Sequence, residues 1–491
     1  MGVTTEPSVP HPRGLYTLFF TEMWERLSYY GMRALLVLFM VDQVQKGGLG
    51  MTDKTATAIY GLYTAGVYLA ALPGGWIADR LLGAQRAVWI GGMFIAAGHF
   101  SLAVPSVAAF FLGLVLLVVG TGLLKPNIST LVGSLYPEGG ARRDAGFTIY
   151  YMGINLGAAI GPLVCGALGE KLNWHYGFTA AGVGMVFGLI QFRLTRHHLG
   201  DAGLHPPHGG DRQKRDWAIV AVALGALAAV VGLALAGVVQ INPEWLAKRT
   251  TVVIVAIAVL YFAGVFAFGG LDTAEKKRVG VIAILFLSAA MFWSGFEQAG
   301  SSLNLFASRQ TDRMLDLIKF EVPSTWFQSL NAIFIIVLAP VAAAMWVALA
   351  RRGRDPSLAS KMAYGLILLG AGFLVLAVGA KRALAGGPVW PSWLVITYLL
   401  HTVGELCLSP VGLSSVTKLA PPRLVGQMMG VWFLAASLGN LLGGLIAGEV
   451  TGENASEMPG IFLQIVGTAG GTGLVLLIFS KPIRNLMPGV K

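Results

Sequence analysis

The chain predicts an all-α membrane protein, with fourteen spans arranged as six, two and six. Three observations carry that expectation. The 491 residues are 55% hydrophobic and only 12% charged, with a mean hydropathy of +0.69. A water-soluble fold cannot hide that much apolar surface, whereas spanning helices turn it toward lipid. Apolar runs long enough to cross ~30 Å of hydrocarbon recur near 14–42, 54–78, 87–104, 106–136, 145–169, 175–193, 217–240, 251–270, 279–306, 325–350, 359–380, 392–418, 425–448 and 459–480. The third observation is a polar stretch, RLTRHHLGDAGLHPPHGGDRQKRD at 193–216, whose Pro, Gly, His and charge mark a linker.

Setting aside the pair at 217–270 leaves six spans before it and six after. The expected organisation is therefore an N-terminal six-helix bundle (1–193), a linker with two extra spans (194–278) and a C-terminal six-helix bundle (279–491). Six plus six is the plan of a duplicated transporter with its site near the midplane. The halves share no evident sequence repeat, so this rests on span number and linker placement.

The net charge is +11, which in a soluble protein points to nucleic acid. Here most Lys and Arg lie in short loops between apolar runs and read as topology signals. With the N-terminus inside, about 22 basic residues fall inside against 10 outside, and Arg26, Arg33 and Lys125 sit at membrane depth. Both termini are thus expected in the cytoplasm, and the protein in the plasma membrane (the inner membrane if bacterial). The first run is long and charged, so it reads as a retained span, not a cleaved signal. Cys165 and Cys407 lie in separate apolar runs and form no disulfide framework or metal cluster. Histidines 99, 197, 198, 205 and 208 likewise lack a metal-site context, and no metal or cofactor is expected.

The chemistry lies in the intramembrane charges. In TEMWERLSYYGMR, a rotation of about 100° per residue puts Glu22, Glu25, Arg26, Tyr29 and Arg33 on one face, with Tyr30 beside them. Lys125 lies in the fourth core span, directly before Pro126. Glu297 lies in the seventh and Glu405 in the tenth. At roughly 2.5–3.5 kcal/mol each, seven lipid-exposed charges would cost on the order of 20 kcal/mol. Three cations facing four anions in a wet cavity reduce that cost. A carboxylate that exchanges an Arg or Lys partner for a drier setting takes up a proton, and releases it on the reverse exchange. Glu22 and Glu25, flanking Arg26, are the natural couple, with Lys125 able to tip them.

Other motifs point the same way. GGWIADRLLGAQR offers Asp79, Arg80 and Arg86 as a cytoplasmic charge latch between moving halves. Trp293, Glu297 and Ser301 are four apart, as are His401, Glu405 and Ser409. Tyr68, Asn155, Gln328, Asn331 and Asn440 are further polar groups inside spans, and Trp432 and Phe433 are candidate pocket walls.

EMWERLSYYGMR, GGWIADRLLGAQR, GTGLLKPNIS, RDAGFTIYYMGINLGAAIGP, FWSGFEQAGSSL and GELCLSPVGLS, in that order, resemble the proton-dependent oligopeptide transporters of the major facilitator superfamily. The extra pair at 217–270 is similar to prokaryotic members. The resemblance implies a major facilitator fold of 12 core helices plus two, and a proton-coupled symporter importing di- and tripeptides by alternating access. It implies no enzyme and no cofactor beyond the proton gradient, with the bilayer, small peptides and protons as partners and a functional monomer. Glu22, Glu25, Arg26, Lys125 and Glu297 would couple protons. Arg33 and Lys125 would receive the peptide carboxylate and Glu405 the amino group, with Asn155 and Asn331 near the peptide backbone. Tyr29, Tyr30, Tyr68, Trp293, Trp432 and Phe433 would line side-chain pockets. Arg33 with Glu297, and Lys125 with Glu405, would be interdomain salt bridges of the gates, beside the Asp79 and Arg86 latch. Animal members carry a histidine where this chain has Gly61, which leaves proton handling to carboxylates. The runner-up is a proton-coupled carrier of nitrate or another small solute. An intramembrane enzyme lacks a catalytic pair in motif context.

Overall fold

The computed structural model describes residues 10–208, 210, 212–450 and 455–487, without the side chains of 409–414, 450 and 455. Its first six helices are α1 (Arg13–Val41), α2 (Asp53–Ile77), α3 (Ala84–Leu102), α4 (Val107–Ser134), α5 (Gly140–Lys171) and α6 (Trp174–Thr195). The extra pair is α7 (Gln213–Leu235) and α8 (Pro243–Phe268). The last six spans are α9 (Thr273–Phe296) continued by α10 (Ser302–Gln310), then α11 (Ser329–Arg351), α12 (Leu358–Gly386), α13 (Ser392–Leu419), α14 (Val425–Val450), and α15 (Met458–Ile465) continued by α16 (Gly471–Ile478). A short α17 (Ser480–Asn485) closes the described chain. Fourteen spans result, twelve core and two extra. Eleven are long and apolar enough to cross a bilayer by length and hydropathy alone. Helix α1 is excluded from those by its own charges.

Local chemistry sets the ends. Thr52, Ser106, Asn173, Asn242 and Ser357 each turn a side-chain oxygen onto a backbone N–H of the first turn. Asp272 and Glu275 form a reciprocal capping box at α9. Two expected spans are interrupted. The helix through Trp293 stops at Phe296, tightens into a 3-10 turn over Glu297–Gly300 and restarts at Ser302. Even spacing of Trp293, Glu297 and Ser301 around one helix therefore does not hold. The last span contains a π-turn at Val466–Gly470, where glycines at 467, 470 and 471 weaken the regular ladder.

Two apolar cores form, one almost wholly within residues 15–199 with Leu305 added, and one within 265–487. Inside the first, α1 and α5 approach backbone to backbone. A Cβ on Gly157 would lie 2.3 Å from the Met23 carbonyl oxygen, and one on Gly161 would lie 2.5 Å from that of Leu27. Only glycine permits that distance, and it fixes the charged face of α1.

The halves meet along α2 and α14, which run together for most of their length. Helix α8 covers that seam, sharing an apolar cluster with α2, α9 and α14 through Ala247, Ile254 and Ala258. Helix α7 contributes almost nothing to burial and is fixed at its start, where the buried Asp216 meets Arg80 at 3.4 Å. The linker also docks there. Gln85 donates from Nε2 to the carbonyls of Gly200 (3.0 Å) and Ala202 (2.8 Å), and His208 N–H donates to the Asp79 carbonyl at 2.9 Å.

Candidate functional site

Helix α1 presents its acids and arginines between the halves. Arg26 Nε lies 3.2 Å from Glu22 Oε1 and is also paired with Glu25 Oε2. All three side chains are almost fully buried. The Arg26 guanidinium lies over the rings of Tyr29 (5.0 Å) and Tyr30 (5.9 Å). Aromatic faces thus supply part of the stabilisation that water would otherwise give.

Two turns further along α1, Arg33 Nη1 pairs with Glu297 Oε2 at 3.0 Å. This pair joins the halves, and both side chains are 8% exposed. The helix break places Glu297 there, because the chain turns back toward α2 at Gly300 and packs on Tyr60. The Tyr60 hydroxyl donates to the Glu297 carbonyl at 3.2 Å, and the Arg33 guanidinium lies over the Tyr30 and Tyr60 rings.

Lys125 and Glu405 stand apart. Lys125 Nζ sits 4.1 Å over the Tyr68 ring. Glu405 Oε2 accepts from Asn331 Nδ2 at 3.0 Å, and the same amide donates to Thr402 Oγ1 at 3.0 Å. Both charged residues are half-buried. Among the described residues they are not paired with each other, unlike the expected gate bridge. They stand on α4 and α13, whereas α5 and α11 bring the halves into contact. Helices α5 and α11 touch near Ala158, Ala159 and Ala332, and Ser329 Oγ donates to the Ala159 carbonyl at 2.7 Å. Beyond that point α11 is largely exposed toward Arg351. The described hydrogen bonds and ion pairs between the halves lie toward the other end, so the end of the bundle that carries both described chain ends is the open one.

The opposite end is cross-linked. Glu170, at the tip of α5, accepts from the backbone N–H and hydroxyl of both Ser324 and Thr325 at 2.6–3.0 Å. Arg309 grips Asp53 through two bonds of 2.6 and 2.9 Å. Lys54 pairs with Glu449 at 3.1 Å, and Lys171 with Glu321 at 3.2 Å. Asn304 donates to the Ala34 carbonyl at 2.8 Å.

Several anticipated residues play quieter parts in this conformation. Asp79 and Arg86 are exposed and not paired with each other. Arg80 turns to Asp216 instead, so the latch links the loop to the extra pair. Asn155 donates to the Tyr151 carbonyl of its own helix at 2.9 Å. Trp293 packs edge-on against Phe292 and Phe296, and Trp432 packs on the core clusters. Phe433 is half-buried, and the side chain of Ser409 lies outside those described. A Cβ on Gly61 would meet the Asn440 carbonyl oxygen and Gly444 Cα at 3.2 Å, so α14 already occupies the space a histidine would need. Sequence reasoning passed over Tyr60, Tyr63 and Tyr150, all buried against the charged face. Tyr60 and Tyr63 lie on the α2 stretch that carries Tyr68, and Tyr150 lies within the IYYMGIN run.

Fourteen spans enclosing buried acids and bases between two packed halves define a multi-pass membrane transporter. A sequence profile described as the POT family matches residues 85–460, and the chain belongs to that family. It is 44% identical to the peptide transporter YePEPT of Yersinia enterocolitica, over 97% of this chain and 95% of the other. It is 37% identical to a di-/tripeptide transporter of Lactococcus lactis subsp. cremoris, over 98% and 97%. The crystal structure of a mutant peptide transporter POT in complex with alafosfalin superposes with a TM-score of 0.90 at 42% identity, covering 99% of this chain and 98% of that one. The α1 cluster lies outside the profile match but inside these near full-length alignments.

Proposed function

We propose that this protein is a proton-coupled symporter that imports di- and tripeptides by alternating access. The observation that carries the reading is the division of its buried charges. Arg33 and Glu297 are joined across the halves, while Lys125 and Glu405 are left unjoined on either side of the open chamber. A peptide zwitterion suits those separated poles, its carboxylate toward Arg33 and Lys125 and its amino group toward Glu405 and Asn331. Tyr29, Tyr30, Tyr68, Trp293, Trp432 and Phe433 offer apolar and aromatic surface to side chains of varied shape, with Asn155 near the backbone.

Protonation of Glu22 or Glu25 weakens its hold on Arg26, and the freed arginine re-pairs elsewhere in the chamber. This gives a proton a way to bias the two arrangements of the halves. Closure at the chamber's open end then uses Lys125 with Glu405, with Asp79 and Arg86 re-pairing as the loop moves. The two separate apolar cores support a three-part division, which we draw at 193/194 and 278/279. The basic bias assigns the open end and both termini to the cytoplasm, and bacterial relatives favour the inner membrane. The whole site lies within one chain, which suits a functional monomer, and the proton gradient supplies the energy without a cofactor.

Uptake of a labelled dipeptide into proteoliposomes, with and without an inward acid gradient, tests the reading. Accumulation that requires the gradient is the expected result. Uptake indifferent to the gradient overturns the coupling, and nitrate accumulation without peptide uptake overturns the substrate.

A further inference from the structure

Asn331 on α11 and Glu405 on α13 form the pole assigned above to the peptide amino group, and neither side chain is fully buried. Thr402, beside them, has no part in that assignment. It lies one turn before Glu405 on the same face of α13 and is 0% exposed. Its hydroxyl donates to the Tyr398 carbonyl at 2.7 Å. A hydroxyl has a single hydrogen, so toward Asn331 the Thr402 oxygen can only accept. It accepts from Asn331 Nδ2 at 3.0 Å, and Glu405 Oε2 accepts from the same nitrogen at 3.0 Å. These partners fix which way the amide faces. The two bonds use both hydrogens of its NH2 group, and a reversed amide would set its oxygen against two acceptor oxygens. Nδ2 therefore belongs on the α13 side and Oδ1 on the other. Among the described residues no donor engages Asn331 Oδ1 or the second Glu405 oxygen.

Resting on the peptide-import reading above, we propose that Thr402 is a positioning residue for recognition of the peptide amino terminus. It holds the Asn331 amide so that Oδ1 and the second Glu405 oxygen are offered together to one ammonium group. Two bonds to α13 fix the amide in place and in rotation, whereas Glu405 alone would leave it a pivot. The difference matters most as the ligand arrives, because an ammonium draws on the Glu405 carboxylate and weakens its hold on the amide. Thr402 keeps its hold through that exchange. An N-acetylated peptide presents a neutral N–H with one hydrogen in place of a charged group with three, and gains little from the two acceptors. Thr402 thus acts on selectivity for a free amino terminus and touches no peptide atom itself.

The test is Thr402→Val in proteoliposomes, which keeps the side-chain shape and removes the acceptor, with Thr402→Ala and Thr402→Ser alongside. Labelled dialanine is the substrate and N-acetyl-dialanine the competitor. In Thr402→Val and Thr402→Ala the KM for dialanine is expected to rise at least fivefold, with the maximal rate within twofold of wild type. The preference for dialanine over its acetylated form should fall by a similar factor. Thr402→Ser restores the hydroxyl but not the methyl group, and should return both values to within twofold of wild type. A wild-type KM and preference in Thr402→Val and Thr402→Ala overturns the positioning role alone. Equal weakening toward free and acetylated peptide, failure of Thr402→Ser to recover, or loss of folded protein in both Thr402→Val and Thr402→Ala also overturns it, since each marks a packing role. Absence of dialanine uptake by the wild-type protein overturns the peptide reading itself.

Discussion

The two ends of the bundle differ in how they spend their charges. At the cross-linked end, ions on opposite halves are consumed by one another or by backbone N–H groups: Arg33 with Glu297, Arg309 with Asp53, and Glu170 with Ser324 and Thr325. At the open end Lys125 rests on an aromatic ring and Glu405 on an amide, and among the described residues neither forms an ion pair with the other half. A transporter open to one side needs that asymmetry. In the proposed cycle, ions already engaged hold a gate shut, and those still unengaged remain available to a zwitterion.

The largest effect should come from Glu297→Gln. It leaves Arg33 buried without its counter-ion, and removing one partner of a buried pair costs roughly 3–5 kcal/mol. Uptake is expected to fall below a tenth of wild type, with a lower melting temperature in detergent. Unchanged uptake and melting would mean that this pair does not hold the cross-linked end shut.

Lys125→Ala should separate transport from stability. The lysine is half-buried, and its contact with Tyr68 is worth about 0.5–2 kcal/mol, a small part of the fold's stability. Gradient-driven accumulation should fall about tenfold while the melting temperature moves by only a few degrees. A protein that melts far earlier yet still concentrates peptide would make Lys125 a structural residue.

The span pattern and the charged face of α1 could be read from residue order because both follow from periodicity and hydropathy. Glu22, Glu25 and Arg26 are neighbours on one helix, so their pairing needed only helical geometry. Arg33 with Glu297 required tertiary proximity, and its expectation came from the resemblance and not from spacing. The break after Phe296 was missed because FWSGFEQAGSSL holds no proline to mark it, and its 3-10 turn packs against Tyr60 from the other half. Glu170, Ser324 and Thr325 escaped notice for another reason. Each looks like an ordinary loop residue until α5 and α11 bring the two tips together. The separation of Lys125 and Glu405 was equally hidden, since it depends on how the two halves pack.

Glu170→Gln should have an intermediate effect. One of its two oxygens becomes an amide that cannot accept from Ser324 or Thr325, and charge-assisted hydrogen bonds are worth about 1.5–3 kcal/mol each. A two- to fivefold loss of uptake rate is expected, measured as initial rates at saturating peptide. A rate equal to wild type would move the closure of this tip to Lys171 and Glu321.

Arg309→Gln should have the smallest effect. Its two bonds to Asp53 are short, but the arginine side chain is 42% exposed, and water and salt screen it. Exposed pairs contribute about 0.2–1 kcal/mol, and an effect in the lower half of that range changes uptake by less than about threefold. The effect should shrink further as salt is raised, because screening already weakens the wild-type pair. The Arg33–Glu297 pair is shielded by protein, so the Glu297→Gln defect should persist at the same salt. If Arg309→Gln proved as damaging as Glu297→Gln, the outer gate would be held at its rim and not in its buried interior.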